Sequence, residues 1–472
     1  MNSLTPNSPT SDADKTFARL TTAPVAPLII RLGVPTMMSM LVTALYNTAA
    51  AFYVASLGTS AIAALGIVFS LQMFIQALGI MVGQGCASMT SRLLGAKDYD
   101  RVNRLASTGL LTVAVIAVTF ALLARIFLTP FLQAIGATDT ILPYAWDYAE
   151  VILMGAPVMA AAFTLNNLLR SEGLAFVGML GLGAGGILNI IVTPVFIFGF
   201  GWGIAGAAWS TVLCQLISFV ILLSHYWRGH GSIHLSVRLV DFDPRTHALI
   251  LKNGIPSMTR NACATVAACL LNVVAAGFGD AAVAAMSVVG RVMMISNALL
   301  IGLGQGFQPV LGYNWGAGLF IRVKESLDAT LKMGYFIVVT GGLVGFVFAA
   351  DIMQFFAVGD AEVVAVGVFA MQLQCLACII MPINIIGNMA YQVLGRAGIA
   401  TLLAASRQGL FFLPLVFLLP YSLGLTGLQA VPAASEVMAS FVCGYYLYKL
   451  RREFIARAEA SKANSKTMAE PL

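Results

Sequence analysis

GLGQGFQPVLGYNWGAGLFIRV (Gly302–Val323) has a counterpart earlier in the chain, MVGQGCASMTSRLLGAKDYDRV (Met81–Val102). Laid together without a gap, Gly83, Gln84 and Gly85 fall on Gly304, Gln305 and Gly306. Gly95 and Ala96 fall on Gly316 and Ala317, and Arg101 and Val102 on Arg322 and Val323. The spacing, 221 residues from Gly83 to Gly304, also carries Gly33 and Pro35 onto Gly254 and Pro256. It carries Gly58 onto Gly279, and Gly203 and Gly206 onto Gly424 and Gly427. One spacing held over most of a half-chain means a single structural unit used twice.

Composition sets the solvent in which that unit folds. Apolar residues make up 59% of the 472 and charged residues 10%, with a mean hydropathy of +0.89. A soluble domain carries about 25% charged residues. Long runs almost free of charge, without the strict alternation of a transmembrane barrel, read as a polytopic helical membrane protein. The seven Cys are scattered through apolar runs, and the one CxxC, Cys375 and Cys378, lies within a span. They read as small packing residues rather than metal ligands. The N-terminal stretch lacks a signal-peptide core and is expected to be a disordered cytosolic tail over residues 1–27.

Twelve apolar runs are expected, near 28–55, 60–92, 104–127, 141–163, 175–200 and 204–227, then 250–276, 281–313, 325–350, 362–392, 400–420 and 427–448. This gives an N-lobe of six helices (28–227), a cytosolic connection (228–249), a C-lobe of six (250–448) and a cytosolic tail (449–472). With the N-terminus placed inside, Arg125 alone of the 26 Lys and Arg falls at an outer connection. The positive-inside rule then puts both termini in the cytoplasm. Six spans per unit give the two halves the same sense, a parallel repeat whose halves would enclose a cleft for alternating access. The matched Gly95 and Gly316 read as helix-ending turns at the inner surface, the other reading being a latch between the halves. Gly33-x-Pro35 and Gly254-x-Pro256 read as helix starts, and Pro194 as an interruption of the fifth span.

Few charges lie inside the spans. Glu436 stands near the middle of the twelfth, where an isolated carboxylate is costly, so it is expected to face the cleft as a proton-coupling group or to pair with Arg260, Arg291 or Arg407. Asp147 and Glu150 are weaker candidates nearer the outer surface. Arg260 and Arg291 correspond to Ser39 and Ser70 in the first half, so these charges belong to the second half alone. Facing the cleft, Arg291 would repel cations and attract anions. Gln305, with Gln84, Gln215 and Gln308, must find a partner or cleft water. Met37, Met38, Met40, Met286, Met293 and Met294, with Phe69, Phe74, Phe307 and Trp315, would suit a cleft accepting many apolar shapes, or simply pack. Gly181, Gly183 and Gly186 match GxGxxG, but no strand precedes them, and close helix packing accounts for them better. The four His (225, 230, 234, 247) lie around the central connection without metal-ligand spacing. There is no nucleophile elbow, no P-loop and no pair of catalytic carboxylates, so neither an enzyme nor an ATP-driven pump is expected.

With GQGFQPVLGYNWGA (304–317), LRSEG (169–173), LGRAG (394–398) and GWGIAGAAWSTVLCQ (201–215) in this order, the chain resembles the multidrug and toxic compound extrusion (MATE) family over about residues 25–450. The resemblance implies a V-shaped, two-lobed, twelve-helix exporter of amphiphilic cations in the bacterial inner membrane, driven by H⁺ or Na⁺. It implies small molecules and the lipid bilayer as partners, a monomer, and no nucleic acid or cofactor. Family site positions fall on Tyr46, Asn166, Asn189, Thr193 and Thr211. Two depart from the family pattern: Ala50 and Thr193 stand where members often carry Asp. The neutral polar positions survive and both carboxylates are missing, so the usual N-lobe ion site is in question. The rivals are a same-fold transporter of an organic anion or lipid-linked precursor, favoured by the missing acids and the C-lobe arginines, and, further off, an intramembrane enzyme or a scaffold.

Overall fold

A computed structural model describes residues 12–229, 231–357 and 360–467. The described residues form helices joined by short turns. In the first half these are α1 (Asp12–Thr22), α2 (Val25–Ala55), α3 (Thr59–Gly95), α4 (Tyr99–Ile126), α5 (Leu128–Ala134), α6 (Leu142–Ser171), α7 (Ala175–Pro194) and α8 (Gly203–Trp227). In the second they are α9 (Pro244–Ala276), α10 (Asp280–Gly316), α11 (Phe320–Val347), α12 (Ala349–Phe356), α13 (Ala361–Ala377), α14 (Met381–Val393), α15 (Ala397–Ala405) and α16 (Phe412–Thr467). Eleven stretches of the described residues are long and apolar enough to cross a membrane. The last, Ala397–Ala460, is broken at Gly424 (φ 60°, ψ −137°), which makes twelve spans, six and six, as the sequence led us to expect.

The repeat reaches down to single backbone angles. Gly58 (φ 111°) and Gly279 (φ 100°) both precede a helix at positive φ, and Gly203 (φ 54°) and Gly424 (φ 60°), also one repeat apart, share a positive φ. Lys97 (φ 58°), the described non-glycine residue with positive φ, stands where the second half has Gly318 (φ 73°). The short helices α5 and α12 begin one repeat apart, at Leu128 and Ala349.

The chain folds as two compact units. The first comprises Met1–Pro24, Met38–Gly254 and Gly312–Ala317, and the second Val25–Met37, Ile255–Leu311 and Gly318–Leu472. The opening segment of α2 therefore belongs to the second unit, and that of α9 to the first. Both helices change unit beside a proline, Pro35 in α2 and Pro256 in α9. These prolines are well inside their helices, which begin at Val25 and Pro244, so the expectation that they start the helices is corrected. A missing N–H in mid-helix leaves one ladder bond unmade and makes that point the easiest to bend.

Glycine lets the exchanged segments dock. In the first unit a Cβ on Gly85 of α3 would lie 2.2 Å from the Ile250 carbonyl oxygen and 3.1 Å from the Gly254 nitrogen, both in α9. In the second unit a Cβ on Gly306 of α10 would lie 2.4 Å from the Gly33 nitrogen in α2. The two contacts are one contact, repeated. Gly95 and Gly316 end their helices as expected, but their need is close approach. Added Cβ atoms would meet the Tyr313 and Arg92 carbonyl oxygens at 2.2 and 2.0 Å. Gly79 and Gly83 of α3 let α6 approach in the same way, and the Thr164 hydroxyl donates to the Gly79 carbonyl at 3.2 Å. Gly181 and Gly186 abut Leu222 and Tyr46, which is packing, not nucleotide binding.

One expectation needs correction at the N-terminus. Residues Asp12–Thr22, read as part of a disordered tail, form α1. Leu20 is fully buried, its carbonyl accepts from Asn314 Nδ2 at 3.1 Å, and Lys97 lies 4.4 Å from the Phe17 ring centroid. The rest of that tail, residues 1–11, is outside the described residues. Toward the other end α16 runs on to Thr467, held by Arg396–Glu453 (2.6 Å) and Arg451–Asp328 (3.1 Å) pairs.

Replacing Gly85 or Gly306 by Ala forces a methyl group into backbone and is expected to cost about 1–3 kcal/mol. Each variant should melt at a lower temperature in detergent than the parent. Gly183→Ala, with nothing within 4 Å of its added Cβ, should melt no lower, since alanine favours helix by up to about 1 kcal/mol over glycine.

Candidate functional site

Within the first unit, α2, α6, α7 and α8 bring polar side chains together inside an apolar surround. Tyr46, Asn189, Thr193 and Thr211 are all buried. Gln215 reaches Tyr46, and Thr211 reaches Tyr148. Asn189 Nδ2 donates to Thr211 Oγ1 at 3.4 Å, and the Thr193 and Ser210 hydroxyls are 2.8 Å apart. Thr211 and Ser210 also donate back to the Ala207 carbonyl, the usual way for a hydroxyl to be satisfied in an apolar helix. Asn166 is buried too but stands apart, with its amide against Gly178. The cluster holds hydroxyls and amides and no carboxylate. Of the two nearby acids in α6, Glu150 pairs with Arg125 at 2.5 Å and Asp147 is exposed. Below Pro194, the fifth span continues as one wide turn, Val195–Gly199, whose Phe196 carbonyl accepts from Trp202 N–H at 3.3 Å and faces Gly206.

In the second unit charged side chains gather around one space within the spans. A cavity of about 580 Å³ opens there, within the range of drug-sized ligand sites. Arg260, Arg291, Arg407 and Glu436 all line it. Glu436, 3% exposed, accepts from Asn384 Nδ2 at 2.6 Å and lies 3.4 Å from Arg407 Nε. Arg407 also donates to Asn297 Oδ1 at 3.1 Å. Arg260 donates to Asn388 Oδ1 at 3.0 Å. Around these charges the walls are Met286, Met293, Met294, Ile385 and Phe412.

Of the residues singled out in the sequence, Glu436 and Arg291 meet in this cavity, and Arg407 is the partner that Glu436 finds. Gln305 is buried in α10 and is not among the lining residues. Met286, Met293 and Met294 line the cavity, whereas Met37 packs on Gly302 and Phe307 is fully buried. Asn384 and Asn388 escaped notice, although they, with Gln392, recur every fourth residue in the otherwise apolar INIIGNMAYQ and so share one helix face. That spacing was the available signal.

A family model described as MatE matches residues 35–195 and 256–418. The chain belongs to the MatE family. The multidrug export protein MepA of Staphylococcus saprophyticus is 24% identical over 424 residues, 90% of this chain and 93% of that one. MepA of Staphylococcus aureus is 24% identical over 439 residues, 91% of this chain and 95% of that one. A multidrug resistance MATE family transporter of the MOP superfamily, solved in an outward-facing conformation, superposes with a TM-score of 0.87 at 24% identity, covering 94% of this chain and 98% of that one. A MOP superfamily transporter from Pyrococcus furiosus gives 0.86 at 23%, covering 96% and 99%. These likenesses carry the twelve-helix, two-lobed fold, and membership of the MatE family makes the chain a transporter rather than an enzyme.

In this MatE chain the LRSEG stretch ends α6 with a second buried acid. Glu172 is fully buried, and its Oε2 accepts from Ser232 N–H at 2.7 Å. The Tyr226 hydroxyl faces the same carboxyl. Beside it, Arg19 Nη2 of α1 donates to the Gly173 carbonyl at 3.1 Å. The His225 ring meets Tyr226 edge-on, and His247 Nδ1 lies 2.7 Å from the Thr112 hydroxyl; His230 is outside the described residues. Burial pushes the Glu172 carboxyl from an ordinary 4.5 to about 7, against the lowering pull of the Ser232 N–H, the Tyr226 hydroxyl and the Ile233 N–H. An acid whose folded value is raised prefers its proton in the fold. The fold is then most stable with Glu172 protonated and loses stability as pH rises from the ordinary carboxylate range to about 7. Glu172→Gln should remove that decline, which amounts to about 3 kcal/mol at 1.36 kcal/mol per unit. Melting temperatures between pH 5 and 8 would show it as a flattened slope against the parent, and parallel slopes would count against the assignment.

Proposed function

We propose that the chain is a secondary active exporter of amphiphilic small molecules, exchanging them for H⁺ or Na⁺ by alternating access. The observation that carries this reading is the cavity of the second unit, with a buried carboxylate and guanidinium in its wall. A charge pair at that depth in a span is costly to keep for packing alone, and polar groups there mark ion and substrate paths. The relatives named as multidrug export proteins support the same reading. Glu436 is the coupling group, with Arg407 as its partner, and Arg291 contacts substrate. In the first unit Tyr46, Asn166, Asn189, Thr193 and Thr211, and in the second Gln305, offer neutral oxygens that could ligate a cation in transit but cannot exchange a proton near neutral pH. The protein sits in a bacterial inner membrane as a monomer, with both termini in the cytoplasm, which the distribution of Lys and Arg supports.

The family resemblance would make the substrates cations. A second reading, export of an organic anion, is favoured by the arginines that outnumber Glu436 around the cavity.

In proteoliposomes with an imposed pH or Na⁺ gradient, the parent should move substrate and show a substrate-evoked pH or Na⁺ change. Glu436→Gln should lose that change by tenfold or more, while Asp147→Asn keeps it. Undiminished coupling in Glu436→Gln would remove Glu436 from the mechanism.

A further inference from the structure

We propose that the cavity of the second unit takes an anionic amphiphile, an apolar body bearing a carboxylate or sulfonate, with Arg260 and Arg291 as its anchors. This names the substrate class of the exporter proposed above and rests on that reading.

Three guanidiniums line the cavity against one carboxylate. Arginine stays charged in a protein, so these charges cannot be relieved by losing a proton. Glu436 offsets Arg407, which is also held by Asn297. Arg260 has a neutral partner, the Asn388 carbonyl oxygen. Among the described residues Arg291 has no hydrogen-bond or ion-pair partner. Arg260 also lies close enough to Arg407 for the two like charges to repel. Two positive charges are thus left uncompensated in a space large enough for a drug-sized molecule. A cation entering it meets repulsion in a medium that screens poorly, and an anion gains what the protein itself does not supply. Guanidinium is also the group that best grips a planar oxyanion, through paired N–H donors. The methionines and Phe412 around it provide the adaptable apolar wall that the other end of an amphiphile needs.

The repeat shows how the second unit makes room for this space. One repeat on from Tyr46 is Ala267, and one repeat on from Gln215 is Glu436. Tyr46 and Gln215 touch in the first unit, where the tyrosine ring fills its place against Gly186. Ala267 and Glu436 both line the cavity in the second. Alanine for tyrosine leaves the space open, and Arg260 and Arg291, in place of Ser39 and Ser70, give it its sign.

The test is binding of carboxyfluorescein and of ethidium, read by fluorescence anisotropy on the full-length protein in detergent, beside transport of both dyes in proteoliposomes. Carboxyfluorescein should bind saturably and more tightly than ethidium. Arg291→Gln should weaken it by tenfold or more, and Arg291→Glu should reverse the preference. Arg291 is exposed and has no hydrogen-bond or ion-pair partner among the described residues, so this pair keeps the test clean even if Arg260→Gln fails to fold. Tighter binding of ethidium, or carboxyfluorescein affinity unchanged in both Arg291 variants, overturns the proposal. Ethidium export under a gradient together with that result leaves the exporter reading standing. Binding of carboxyfluorescein with the expected arginine dependence, but no gradient-driven movement of either dye, upholds the anion site and sinks the exporter.

Discussion

Two backbones that touch where no side chain can fit hold each unit together. Gly85 against Gly254 and Gly306 against Gly33 are the same contact made twice. In a bilayer there is little hydrophobic force between helices, because lipid tails are as apolar as leucine. What remains is close packing, and small residues make it possible. Each of these contacts fastens the opening segment of one half's first span into the unit built by the other half. The exchange falls beside Pro35 and Pro256, where the helix ladder is already incomplete. Glycine and proline, which weaken an isolated helix, are here the residues that specify the assembly.

The two units share this scaffold but not its chemistry. In the first, the polar groups clustered around Asn189 and Thr211 are neutral and largely satisfy one another. Thr211 and Thr193 each find a hydroxyl, amide or carbonyl, and Tyr46 occupies the room between α2 and α7. In the second, the corresponding places hold Ala267 and Glu436, and the room becomes a cavity with charged walls. Duplication preserved the backbone contacts, which tolerate no Cβ, and released the side chains that face open space. Methionine and alanine dominate the second unit's core, with Met286, Met293, Met353, Met371, Met381 and Met389 packed among small residues. Such a core can adjust to its contents more readily than a branched aliphatic one.

Much of the fold was legible because the period of the repeat and the length of the apolar runs are direct consequences of bilayer thickness and helix rise. The six-plus-six count and the pairing of glycines followed from it. The unit exchange was not legible, since Gly33-x-Pro35 reads equally well as a helix start until Arg31 and Leu32 are seen to be helical. The α1 helix was missed for a related reason. Its sequence is polar, and its order comes from Leu20 and Phe17 docking on residues about 300 positions away. For the site, Glu436 stood out because a lone carboxylate in a span is expensive. Glu172 did not, because an acid next to a helix-ending glycine looks like an ordinary surface turn, and only tertiary burial makes it otherwise.

Burial also separates the two acids in kind. Glu172 meets backbone N–H groups and a hydroxyl, with no cation among its bonded partners in the described residues, so its environment favours the proton near neutral pH. Glu436 meets Arg407 and the amide of Asn384, so its charge is answered by a fixed positive partner. Removing Arg407 would leave a buried charge unpaired, which costs more than the pair itself contributes. Any ligand that draws Arg407 away does the same for as long as it is bound. An anion held by Arg260 and Arg291 would sit next to that pair and compete for Arg407. The state of Glu436 and the occupancy of the cavity are then linked through one guanidinium, which is the least that coupling between a substrate and an ion requires.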